Sequence, residues 1–271
     1  MTIEQIQAPI QEAYNAFVDT YRNYTHNDIP LLCEVEDYLS HFHGKQLRPS
    51  LLMLSAQACQ HLSHKHILLA TAMELLHNAS LMHDDVVDES NQRRGHDSIR
   101  YRWGNQVAVL CGDYYLSRVM AVLEAVEDSR IATSVNRTVS DMCRGELKQL
   151  SALRNGDTTI NDYIEIIGSK TASLMATCCE LGAFNFTEED NATNYCKAMH
   201  DFGYHYGIVF QIRDDINDLN EGHDIKLPDG YAAQKLIDQH TTQAIAALAP
   251  LPENKAKQTL LAMLQPSAPQ P

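Results

Sequence analysis

Two short segments of this chain carry residues whose type and spacing suit chemistry. They are His83-Asp84-Asp85-Val86-Val87-Asp88 and, 130 residues later, Arg213-Asp214-Asp215-Ile216-Asn217-Asp218, both of the pattern DDxxD. On a helix, positions i and i+4 share a face, so Asp84 aligns with Asp88 and Asp214 with Asp218. One such cluster alone is most simply a solvated helix edge, because surface carboxylates are common. The residues that precede each cluster at helical spacing alter that reading. Stepping back from Asp84 gives Ser80, Leu76 or His77, then Met73, and stepping back from Asp214 gives Phe210, Tyr206 or Gly207, then Gly203. Both sets of acids are therefore expected to prolong an inward-facing stripe, where unneutralised carboxylates cost several kcal/mol each. Oxygen donors with no Cys or His at matching spacing select a hard divalent cation, and Mg²⁺ typically bridges a few carboxylates to substrate phosphates. A diphosphate ligand is the expectation. Further positive charge is offered by Arg93 and Arg94 beside the first cluster, by Lys45 and Arg48 in Gly44-Lys45-Gln46-Leu47-Arg48-Pro49, and by Lys170 in Ser169-Lys170-Thr171. Taken singly, each of these is ordinary surface charge.

The elements that must position these residues read as helices. Proline occurs at 9, 30 and 49 and then not until 228, which leaves 178 residues without the strongest helix breaker. Ile3, Ile6, Ile10, Tyr14, Phe17, Val18 and Tyr21 keep three- and four-residue spacing, as do Leu68, Ala72, Leu75, Leu76 and Ala79, and no comparable run alternates with period two. Breaks suited to joining antiparallel helices are expected around Gly44, Arg94-Gly95-His96, Asn155-Gly156-Asp157 and Gly222-His223. With 271 residues, 44% hydrophobic and 21% charged, the chain has the size and composition of one globular domain, or at most two. The fold class expected is all-α, a single large helical bundle over residues 1–271 with a frayed tail from about 265 to 271. Composition excludes disordered, collagen-like and membrane-spanning classes. A formal charge of -14 argues against a nucleic-acid partner. Seven cysteines without CxxC spacing argue against a disulfide framework or zinc ribbon, and no basic residue precedes Arg22 as a signal peptide would require, so a cytoplasmic location is expected.

The segments GKQLRP, ELLHNASLMHDDVVDESNQRRG, GDYYL, GEL, GSKTASL and FQIRDDIND follow one another between Gly44 and Asp218. In that order they resemble the trans-isoprenyl diphosphate synthases, or polyprenyl synthetases. The resemblance implies an isoprenoid synthase bundle around a central cavity, a homodimer, and Mg²⁺-dependent head-to-tail condensation of isopentenyl diphosphate with an allylic diphosphate. It assigns Asp84, Asp85, Asp88, Asp214, Asp215 and Asp218 to the magnesium ions. Arg93, Lys170, Thr171, Gln211 and Lys226 would contact the allylic diphosphate, and Gly44, Lys45, Arg48, His77 and Arg94 would bind isopentenyl diphosphate. The physical logic is that ionising a carbon–oxygen bond requires charge stabilisation on the departing diphosphate. No protein nucleophile is needed, and His61, His64 and His66 are expected at a polar helix end.

The same likeness directs attention one turn before Asp84. A turn rises about 5.4 Å, close to one isoprene unit, and bulky residues at this level stop the chain in short-chain members. Ala79 and Ser80 are small, which predicts a product longer than farnesyl diphosphate unless Met53, Met73 or Met120 blocks the tunnel deeper down. Beyond the second cluster the likeness weakens. Only Gly222-His223-Asp224-Ile225-Lys226-Leu227-Pro228-Asp229-Gly230 separates it from the final helices, and nothing after Lys257 is basic. A shortened C-terminal region leaves open a non-catalytic subunit of a heteromeric synthase. A class I terpene cyclase is the other alternative, disfavoured because its second metal motif differs and it has no use for GKQLRP.

Overall fold

The computed structural model describes residues 1–42, 44–155, 159–187, 194–220 and 230–265. In chain order its helices are α1 (Ile3–Gln7), α2 (Gln11–Thr25), α3 (Pro30–Ser40), α4 (Leu47–Ala58), α5 (His64–Val87), α6 (Ile99–Trp103), α7 (Asn105–Val126), α8 (Ser129–Asn155), α9 (Ile160–Ile167), α10 (Ser173–Gly182), α11 (Asn194–Asn220), α12 (Gly230–Ala247) and α13 (Lys255–Met263). Strands β1 (Gln92–Arg93) and β2 (His96–Asp97) form a small antiparallel hairpin. The all-α expectation holds, and no described helix is long and apolar enough to cross a membrane.

The chain forms two compact units, each discontinuous in sequence. One comprises 10–50 and 63–128, the other 1–9, 51–62 and 129–271. In the first, α5 packs along α7 and against α2. The apolar positions 68, 72, 75, 76 and 79 of α5 are all buried, as their spacing predicts. Ser63 caps α5 in a box with His66, whose Nδ1 lies 2.8 Å from the Ser63 hydroxyl, so two of the three histidines do mark a helix start. His61 instead approaches the Ala183 carbonyl at 3.0 Å.

In the second unit α11 is central, packed on α10, α12 and the π-helical segment Gly168–Ala172 that joins α9 to α10. Its core gathers Tyr163, Ile167, Ala172, Ile208, Val209, Ile212, Ala233 and Ile237. Gly203 and Gly207 stand one turn apart on α11 and let it approach α10 closely. A Cβ at Gly203 would meet the Met175 carbonyl oxygen at 2.6 Å, and one at Gly207 would meet the Ala172 Cα at 2.6 Å.

One local expectation is corrected and one is given its form. The stripe from Ile3 to Tyr21 is interrupted, because Pro9 falls in a 3₁₀ turn, Ala8–Ile10, between α1 and α2; of its seven members only Ile10 and Phe17 are buried. Arg94-Gly95 does lie in the break between α5 and α6, and within that connection it forms the tip of the β1–β2 hairpin. Its two residues have φ of 53° and 79°, the left-handed pair that a tight two-residue hairpin loop requires. The segments around Gly156-Asp157 and Gly222-His223, and with them Lys226, lie outside the described residues.

Candidate active site

The first acid cluster closes α5. Asp84 is half-buried, Asp88 is exposed at the C-cap, and Asp85 between them is 4% exposed. Asp85 is inward because the β1–β2 hairpin folds back over the helix end and brings Arg93 onto it. The Arg93 Nε donates to Asp85 Oδ1 at 2.9 Å, and its Nη2 donates to the same oxygen. Burial raises the Asp85 pKa, and Arg93 opposes that rise. The hairpin is itself fastened to α3 and to the residues that follow it. His96 stacks on Phe42 with ring centroids 3.6 Å apart, and the Tyr38 hydroxyl donates to the Asp97 carbonyl at 2.9 Å.

Asp85 and the hairpin arginines open onto a cavity of about 340 Å³ within this unit. Its α5 wall is Glu74, Asn78, Leu81, Met82 and Asp85. These positions follow helical spacing back from Asp85, not from Asp84, so neither Ala79 nor Ser80 lines this cavity. Ala79 is fully buried, while the Ser80 hydroxyl donates to the His77 carbonyl at 2.8 Å. Met53 and Met73 are fully buried. Met120 is 72% exposed on the outer face of α7, since the opposite face, Val119 and Val122, is the one that packs inward; it does not plug the interior.

Gly44, from the GKQLRP segment, also lines the cavity, and its bare Cα is where the Arg94 guanidinium lies; a Cβ there would collide with it. Lys45 is exposed and Arg48 sits half-buried in the first turn of α4. His77 is buried with its Nε2 unbonded. Its pKa is held well below the usual imidazole range, first by burial and then by Arg48, Arg94 and Arg93, so the ring is neutral. A chain of net charge -14 thus concentrates three arginines around one buried histidine.

The second cluster repeats the pattern of the first with different donors. Asp214 is exposed, Asp218 half-buried, and Asp215 is 8% exposed. Tyr163 of α9 donates its hydroxyl to Asp215 Oδ2 at 2.6 Å, and Gln211 Nε2 donates to Oδ1 at 2.7 Å. Thr171 in turn donates to Gln211 Oε1 at 2.8 Å. Burial raises the Asp215 pKa against the pull of these two donors; the Tyr163 phenol is also raised and stays a donor at neutral pH. Lys170, on the π-helical turn, pairs with Glu146 of α8 at 2.5 Å. Such single π turns recur at functional sites.

In both clusters, then, the middle aspartate is taken inward by protein donors, while the i, i+4 pair stays nearer the surface than its stripe predicted. The donors on offer are carboxylate oxygens, which suit a hard divalent cation. Among the described residues no three metal-capable side chains converge on one point. Sequence reasoning overlooked Glu74, although stepping back eleven residues from Asp85 would have found it. Glu146 lay within the GEL segment without a role. Tyr163, 52 residues from Asp215, gave no sequence signal.

The family model for polyprenyl synthetase matches residues 29–228. Heptaprenyl diphosphate synthase component 2 of Bacillus subtilis is 32% identical over 240 residues, a match covering 80% of this chain and 68% of that protein. Octaprenyl diphosphate synthase of Escherichia coli is 32% identical over 197 residues, covering 72% of this chain and 59% of that one. The crystal structure of a decaprenyl diphosphate synthase from Rhodobacter capsulatus matches with a TM-score of 0.84 at 26% identity, over 97% of each chain. The all-α fold is shared with that synthase structure, which sets the chain in the isoprenyl diphosphate synthase class. Within it, this chain belongs to the polyprenyl synthetase family, and its relatives are long-chain polyprenyl diphosphate synthases.

Proposed function

We propose that the chain is a prenyltransferase that condenses isopentenyl diphosphate head to tail with an allylic diphosphate to give a product longer than farnesyl diphosphate. The observation that carries the reading is the cavity below Asp85, where Gly44, Arg93 and Arg94 meet in an otherwise acidic protein. Guanidinium groups gathered at one wall of a cavity are suited to receive a diphosphate. Arg48, Arg94 and Lys45 would bind the isopentenyl diphosphate, with the Gly44 backbone leaving room for it. Neutral His77 offers a hydrogen bond without adding charge. Arg93, Lys170, Thr171 and Gln211 would bind the allylic diphosphate, and Lys226 is retained with them on the resemblance alone. Asp84, Asp85, Asp88, Asp214, Asp215 and Asp218 would hold Mg²⁺, which when bound supplies charge stabilisation to the departing diphosphate. Asp85 and Asp215, engaged by Arg93 and by Tyr163 with Gln211, orient their neighbours and hold the helix ends rigid. We assign the long product to small Ala79 and Ser80, in keeping with the hepta- and octaprenyl names of the relatives. We further read residues 1–271 as one working domain that forms a homodimer in the cytoplasm, the odd cysteine set without CxxC spacing supporting a reducing compartment.

A second reading is favoured by one relative's printed name, component 2, which implies a synthase needing another component. Incubation of the purified chain with Mg²⁺, labelled isopentenyl diphosphate and allylic primers of several lengths, followed by product sizing, separates the two. Incorporation into products beyond fifteen carbons supports the synthase. Its absence from the chain alone refutes self-sufficient activity, and cyclised hydrocarbon formed without isopentenyl uptake would identify a cyclase instead.

A further inference from the structure

Resting on the reading above, we propose that Glu74 is a positioning residue for the isopentenyl diphosphate subsite, its buried carboxyl setting the guanidinium groups of Arg48 and Arg94 in the orientation that receives the diphosphate. Glu74 is 6% exposed, lines the cavity from α5, and has its Oε2 without a hydrogen-bond partner. Acids are rarely buried to that degree unless they answer a charge. Burial raises the Glu74 pKa, and the cations that oppose that rise are Arg48, from the first turn of α4, and Arg94, from the tip of the hairpin. Two chain segments 46 residues apart thus place like charges near one point on the central helix of the unit. Without a counter-charge they would repel one another.

The other acid on this wall cannot serve in that way, because Asp85 is engaged by Arg93. His77, one turn beyond Glu74 on α5, is neutral and leaves the cationic charge undiminished. Gly44 fixes where the Arg94 guanidinium lies from one side, and Glu74 attracts it from another. A planar guanidinium recognises a diphosphate through paired N–H donors, so its orientation matters as much as its charge.

The test is Glu74→Gln, which preserves size and removes the charge. The expected result is a KM for isopentenyl diphosphate raised about tenfold or more with the KM for the allylic primer within about twofold. Isopentenyl diphosphate titrated calorimetrically without divalent cation, where the aspartates play no part, should lose affinity by a similar factor. Glu74→Asp, which restores the charge one methylene short, should recover only part of the loss and keep a residual effect confined to isopentenyl diphosphate. In an Arg94→Gln background, Glu74→Gln should add little further loss, since residues acting through one another are not additive. Unchanged isopentenyl parameters in folded Glu74→Gln, or an equal rise in both KM values, overturn the inference. Should Glu74→Gln not fold by circular dichroism, Glu74→Asp decides: a selective isopentenyl effect supports the proposal and none overturns it. Wild-type chain that binds isopentenyl diphosphate but makes no product sinks the synthase reading while the titration still judges Glu74; wild-type chain that does not bind it overturns both.

Discussion

Replacing Tyr163 with Phe removes one oxygen atom and leaves the ring in place among Ile167, Ile208 and Ile212. The packing term is nearly unchanged, so the effect isolates the hydrogen bond of 2.6 Å from the hydroxyl to Asp215 Oδ2. A hydrogen bond to a charged group contributes about 1.5–3 kcal/mol. Here the loss falls toward the upper end, because Asp215 is buried and retains only Gln211 as a named donor. For a chain of 271 residues the unfolding entropy is about 0.6 kcal/mol/K, so the melting temperature should drop by about 3–5 °C. The Asp215 pKa, already raised by burial, should rise further once a donor to its charged form is gone. Thermal unfolding followed by circular dichroism at neutral pH measures the first effect, with Asp215→Asn as the companion background. There the hydroxyl faces a neutral amide and its removal should cost under half as much. A melting temperature within 1 °C of wild type, or an equal loss in both backgrounds, would refute the claim that Tyr163 holds the carboxylate inward.

Asp84→Ala should lower the maximal rate by orders of magnitude with helix content unchanged, since it removes charge stabilisation and little packing; a variant of wild-type rate would count decisively against the proposed ligands. Glu36 lines the cavity, and burial pushes its carboxyl up to about 7 against an opposing hydrogen bond from Asn27. Because the folded-state pKa is raised, the stability present below about 4.5 is lost as pH rises to about 7 and levels off above it. Glu36→Gln lacks that titration, so its melting temperature relative to wild type should climb across this window, and a constant difference from pH 4.5 to 8 would show the group is not buried in its acid form. Ser80→Phe, one turn before Asp84, should shorten the product by one or more isoprene units when sized by chromatography; an unchanged product length would move the stopper elsewhere.

The sequence alone determined the all-α class, the buried stripe of α5 and the two DDxxD helices, because each depends on spacing within one element, where a turn of 3.6 residues converts separation into direction. The ordered segments from GKQLRP to FQIRDDIND determined the family for the same reason: they are local strings. What tertiary structure decided is which aspartate of each cluster turns inward. The stripe argument pointed to Asp84 and Asp214, whereas Asp85 and Asp215 are the buried ones, because the donors that capture them arrive from elsewhere: Arg93 on a hairpin, Tyr163 on another helix. Spacing cannot report a partner 52 residues away. Nor could periodicity foresee that Pro9 breaks the first stripe, that Arg94-Gly95 is a hairpin tip, or that Glu74 stands among arginines from two other segments. A buried charge is stabilised by whatever the fold brings to it, and that is settled by packing between elements, not by the order of residues within one.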